Sequence, residues 1–108
     1  TVAILASAVG VFRTGLRTLS DHARIPAADI ARAAEKVDGV RSIHAVRTRG
    51  TEAEVYCDLH VLVDPQMTVL AAHDLGDKVE GVVAAAFPQI KEVLVHIEPD
   101  TAAERAEG

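Results

Sequence analysis

At 108 residues the chain is sized for one small domain, and with 49% apolar residues it can bury a core. Aromatic residues make up only 3%, so that core must be built from Val, Leu, Ile and Ala. A formal charge of −5 excludes a nucleic-acid binder, which needs a basic footprint, and suits a binder of cations. The single cysteine excludes an intrachain disulfide framework, while five histidines in so short a chain raise the possibility of metal binding.

Residues 1–12 form an uncharged apolar run followed by Arg13 and Arg17. The run is shorter than the roughly 20 residues that span a bilayer, and no basic segment precedes it as in a signal peptide. Basic residues just after an apolar segment suit the cytoplasmic end of a membrane helix. Residues 1–24 therefore read as the end of a last membrane helix and a linker, with a helix over 2–20. A buried amphipathic helix is the alternative. Pro26 suits the first turn of a second helix that runs to about Val37, with Ile30, Ala34 and Val37 on its core side. Asp38-Gly39 ends it, the glycine serving as a left-handed C-cap.

Residues 40–49 and 53–64 read as two strands joined by a short turn at Gly50-Thr51-Glu52, an antiparallel hairpin. Thr68 is an N-cap for a helix over 69–87, whose apolar stripe is Ala72, Leu75, Val79, Val82, Val83 and Ala86, and Pro88 stops it. Residues 92–98 are a last strand, and residues 100–108 read as a frayed, disordered tail. Helix, strand, strand, helix, strand is an α+β arrangement, a ferredoxin-like αββαβ unit over residues 25–99, preceded by the N-terminal helix. Its three-stranded sheet carries two helices on one face.

Those helices leave the other sheet face bare, and alternation along the strands says what it carries. Val55, Cys57, Leu59, Val61 and Val63 alternate with Tyr56, Asp58, His60, Leu62 and Asp64. The first set is wholly apolar and faces the core. Val93, Val95 and Ile97 alternate with Leu94, His96 and Glu98 in the same way. Asp58, His60, His96 and Glu98 thus share the outer face, together with an apolar patch of Tyr56, Leu62 and Leu94. His44 shares parity with Val46, so its facing is ambiguous. His73 lies just off the stripe of its helix, with Asp77 one turn later. Imidazole and carboxylate are donors that zinc and similar ions accept. A His-x-Glu on one strand sets both side chains on one face about 7 Å apart. Each feature alone is also what a solvated strand face or helix flank carries. Cys57 reads as a small buried hydrophobe.

Taken together, Val37-Asp38-Gly39-Val40, Ser42-Ile43-His44-Ala45-Val46-Arg47-Thr48-Arg49, Asp58-Leu59-His60-Val61-Leu62-Val63-Asp64-Pro65, Ala72-His73, Phe87-Pro88 and Val95-His96-Ile97-Glu98-Pro99 resemble one family. It is the C-terminal cytoplasmic domain of the cation diffusion facilitator (cation efflux) transporters. The resemblance covers about residues 13–99, and the apolar start is similar to the end of the family's last membrane helix. It implies a dimeric, metallochaperone-like domain that binds a divalent metal near the dimer interface. Its metal ligands fall on His44, His60, His73, His96 and Glu98, with Asp58 as a second-tier candidate. Where many relatives have Pro, this chain has Asp38, a departure at a turn rather than at the site.

The resemblance further implies a regulatory domain on the cytoplasmic side of the cell's inner membrane, part of an integral membrane protein and partnered by its own membrane domain. Zinc is the first metal, with cobalt, cadmium, nickel, iron or manganese behind it. No enzymatic activity is expected: the chain has no nucleophile with a base at usable spacing and no phosphate-cradling glycine loop. A purely structural dimerisation domain is the alternative from another class. A soluble metallochaperone is a third, which the single core-facing cysteine argues against.

Overall fold

Alternation, turn chemistry and two short helical stripes account for most of the architecture. The computed structural model describes residues 25–107. The helix expected over residues 2–20, the linker and the membrane-helix reading lie outside the described residues. No helix among the described residues is long and apolar enough to cross a membrane.

Helix α1 (Ala27–Glu35) starts at Pro26, whose ring fixes φ at −56° and whose carbonyl accepts from Asp29 N at 3.0 Å. Ile30 and Ala34, four residues apart, are buried on its inner side. The helix stops at Glu35, before the Val37 expected, and Lys36 is its C-cap. Gly39, with φ +99°, is therefore not the cap. It sits in the following turn, which Val40 N closes onto Val37 O at 3.2 Å.

Strand β1 (Ser42–Gly50) and strand β2 (Val55–Val63) pair antiparallel. The turn between them requires glycine at position 50. Its φ is +110°, and a Cβ there would lie 2.1 Å from Glu54 O. Thr51 N donates to Glu54 O at 3.0 Å and Glu54 N to Thr51 Oγ1 at 3.2 Å, closing the loop. Helix α2 (Val69–Ala86) is capped by Thr68, whose Oγ1 accepts from Ala71 N at 3.1 Å. Strand β3 (Ile90–Pro99) follows and pairs parallel to β2, with α2 as the crossover. The sheet order is β1-β2-β3.

Both helices cover one sheet face. Ile30 and Ala34 of α1 and Leu75, Val79 and Val83 of α2 join Val55, Cys57, Leu59, Val61 and Val63 in one apolar cluster. The α+β fold expected is the fold found. The α2 stripe is rotated from its expected position. Val82 and Ala86 are exposed, and Gly76 is buried in their place. Gly76 faces β3, where a Cβ would lie 3.7 Å from the Ile97 side chain, an ordinary van der Waals contact.

The stretch expected to fray carries a short helix, α3 (Ala102–Glu107). It is tied back through ion pairs. Arg105 Nε meets Asp100 Oδ1 at 2.7 Å, and Arg41 meets Asp100 at 3.4 Å and Asp64 at 3.5 Å.

Candidate metal centre

The even-numbered residues of β2 lie on the face the helices leave open, and register fixes their neighbours. His44 of β1, His60 of β2 and His96 of β3 are successive Cα partners, so three imidazoles form one row across the whole sheet. The row above it is Ser42, Leu62 and Glu98, and the row below is Arg47, Asp58 and Leu94.

His44 reaches this face through a bulge. Simple alternation would set His44 and Val46 on the same side. Between His44 and Arg47 the register shifts by one residue, so Ala45 and Val46 together oppose Leu59. Ala45 takes φ +49°, and Val46 packs against the core while His44 pairs with His60. The ambiguity in the sequence is thereby resolved in favour of the outer face.

The His60 and His96 rings lie 4.9 Å apart between centroids, tilted by 42°. His60 Nδ1 lies 2.8 Å from Glu98 Oε1. A carboxylate accepts and does not donate, so Nδ1 carries the proton of this contact. In the neutral ring that leaves the lone pair on Nε2, the arrangement in which a carboxylate orients a metal-ligating imidazole. His44 Nε2 is buried and has no hydrogen-bond partner among the described residues. An orphaned buried imidazole nitrogen is costly unless something outside the chain satisfies it. These donors fit a divalent ion of borderline softness. Among the described residues, however, no three His, Cys, Asp or Glu side chains already converge closely enough to hold one.

Two candidates stand apart from the row. Asp58 is one position along β2 on the same face, but Arg49 Nη1 lies 3.6 Å from its carboxylate and Arg47 is its cross-strand partner. His73 belongs to α2, in the helical layer. Its ring is exposed, with Nε2 3.5 Å from Asp77 Oδ2. Cys57 is buried on the core face, and burial, reinforced by the Asp58 charge, pushes its thiol up to about 11. It stays protonated and is no thiolate ligand at neutral pH.

One sequence expectation fails on this face. Leu62 was expected to be part of an exposed apolar patch, yet it is fully buried and lies outside the main core cluster. It sits at the end of the sheet where Arg41 N donates to Leu62 O and Asp100 N to Val63 O, both at 2.8 Å. The ion pairs of Arg41 cross the same end. Leu94 remains 49% exposed and Tyr56 half-buried, with Arg49 over the Tyr56 ring at 5.9 Å. The sequence had no signal for the His60–Glu98 contact beyond shared parity. A groove of about 470 Å³ between α2 and β3, bordered by Asp77, Glu80, Lys91 and Glu92, lies apart from the histidine row.

Residues 25–100 match the family described as cation efflux protein, cytoplasmic domain. The chain belongs to this family. It is 36% identical over 64 residues to metal tolerance protein C1 of Arabidopsis thaliana, a match covering 59% of this chain and 14% of that protein. To the magnetosome protein MamM of Magnetospirillum gryphiswaldense it is 32% identical over 100 residues, covering 91% of this chain and 31% of MamM. The chain thus spans less than a third of the length of these relatives. A nickel form of a MamM CTD variant superimposes with a TM-score of 0.65 at 30% identity, covering 68% of this chain and 94% of that one. A manganese form of another variant gives 0.64 at 30% identity, covering 67% and 91%. The family consists of cation efflux proteins, and the ferredoxin-like fold is the one the MamM CTD has.

Proposed function

We propose that this chain is the metal-responsive, dimerising cytoplasmic domain of a divalent-cation efflux transporter, with zinc the first metal to test. The observation that carries the reading is the row of His44, His60 and His96, with Glu98 on His60 Nδ1 and an unpartnered, buried His44 Nε2. When bound, the ion supplies bonds between elements that are otherwise held only by the sheet. His44, His60 and His96 offer imidazole nitrogens, and Glu98 orients His60. Asp58 and His73 lie outside the row and hold other partners, Arg49 and Asp77. The nickel and manganese forms of the MamM CTD support a divalent ion as the ligand class.

Among the described residues no three donors converge, and in this reading a second copy or a shift within the sheet completes the site. That requirement is what couples binding to shape. A ligand shifts a conformational equilibrium only by its differential affinity for the two states. A site complete only in the closed dimer has that differential. The exposed Leu94 and half-buried Tyr56 on the same face support a homodimer there. Through its membrane domain the transporter would sit in the cell membrane, with this domain on the cytoplasmic side.

Small-angle scattering of the chain with and without zinc tests the reading. At about pH 7.5 zinc reduces the radius of gyration of the dimer. A radius unchanged by bound zinc would favour a static dimerisation domain. A soluble metallochaperone is disfavoured because its transfer chemistry needs an accessible thiolate, and Cys57 is buried and protonated.

A further inference from the structure

Strand β1 contains one residue more than its partner needs, and where that residue goes decides which face His44 occupies. If β1 followed β2 without interruption from the hairpin, Arg47 would oppose Asp58, Val46 Leu59, Ala45 His60, and His44 Val61. His44 would then point into the helical core and Ile43 out of it. In the structure His44 opposes His60 and Ile43 opposes Val61, because Ala45 and Val46 share Leu59. The absorbing residue is Ala45, in the left-handed region at φ +49°. It is the one non-glycine residue with positive φ among the described residues. An alanine there is strained, and strained backbone persists where the surroundings over-determine it. Here the surroundings are Ile43 and Val46, both packed against the core cluster on either side of the bulge.

We infer that Ala45 is a positioning residue: its left-handed bulge sets His44 on the ligand face, in line with His60 and His96, with its Nε2 buried and without a hydrogen-bond partner among the described residues. The inference rests on the proposed metal site and adds the element that assembles it. Ile43 gains a core position by this register, Val46 keeps one, and one imidazole is directed outward, so packing energy holds a binding geometry that alternation would not give. The bulge also bends β1 locally, which is how such insertions re-aim side chains.

The test uses the full chain with Ala45→Gly, Ala45→Val and, as reference, His44→Ala. Cross-strand proton contacts in the NMR spectrum of the metal-free protein read the register: Hα of His44 lies near that of His60 with the bulge, near that of Val61 without it. Zinc affinity comes from calorimetry. Ala45→Gly keeps the His44–His60 contact and the wild-type affinity, and raises the melting midpoint by removing the left-handed penalty. Ala45→Val, with a β-branched side chain that resists positive φ, gains the His44–Val61 contact and loses zinc affinity toward the level of His44→Ala, roughly ten-fold or more. Wild-type register and affinity in Ala45→Val would overturn the inference. So would a changed register with unchanged affinity, or a melting midpoint not raised in Ala45→Gly, which decides the matter even if Ala45→Val does not fold. Failure of every variant and the wild type to bind zinc, with the register contacts as expected, would instead count against the metal site and leave the bulge as the cause of the His44 facing.

Discussion

Glu98 is the residue whose replacement separates orientation from ligation. Its Oε1 lies 2.8 Å from His60 Nδ1, and the two side chains are 25% and 35% exposed. Loss of a carboxylate that orients a metal-bound histidine costs roughly 10–100-fold in affinity. That corresponds to about 1.4–2.8 kcal/mol. Partial exposure screens the contact, so Glu98→Ala belongs at the lower end, near ten-fold. Glu98→Gln keeps an oxygen that can accept from Nδ1 and should lose less than Glu98→Ala. A direct oxygen ligand would give a different pattern, because a neutral amide is a poor substitute for a carboxylate on zinc. Calorimetric zinc titration of both variants reads the affinities. Long-range proton–nitrogen NMR of the metal-free protein reads the His60 tautomer, with Nδ1–H in the wild type and a shift toward Nε2–H in Glu98→Ala. Equal losses for Gln and Ala would refute the orienting role, and no loss in either would remove the pair from the site.

His73→Ala leaves zinc affinity near wild type, since its ring lies in the helical layer against Asp77; a loss as large as that of His60→Ala would bring α2 into the site. Gly50→Ala lowers stability by about 2–3 kcal/mol in urea denaturation, combining a left-handed alanine with a displaced Thr51–Glu54 turn; a loss under about 0.5 kcal/mol would contradict the clash. Cys57 resists thiol reagents at about pH 8 in the native protein and reacts on unfolding. Its thiol is raised from 9.0 to about 11, so the folded protein keeps a proton that the unfolded chain gives up. The resulting stability is full below pH 9.0 and is lost as pH rises toward about 11, by roughly 2–3 kcal/mol at most, and Cys57→Val flattens that alkaline slope.

The sheet was legible because two of its strands obey strict alternation. Val55 to Val63 and Val93 to Glu98 each separate a wholly apolar set from a mixed one, and the outer face carries His60, His96 and Glu98 as the alternation requires. The same rule is silent at His44, because one inserted residue reverses every facing beyond it and the insertion shows only in the pairing. Spacing alone also misjudged α2. Val82 and Ala86 fall on a plausible stripe, but both are exposed, and the buried face of the helix runs through Leu75, Gly76, Val79 and Val83. Leu62 has outer parity and is nevertheless covered and fully buried. Hydrophobic pattern carries no information about such a local cover. The stretch after Pro99 was read as frayed from its polarity, whereas Asp100 anchors it by pairing with both Arg41 and Arg105.

Zinc titration by calorimetry at about pH 7.5 tests most directly the specific binding of a divalent ion by the histidine row. The wild-type chain should give saturable binding accompanied by proton release. Affinity should drop ten-fold or more in both His60→Ala and His96→Ala, at least as much as loss of an orienting partner costs. Unsaturable heats, or the same affinity in the wild type and both variants, would contradict it.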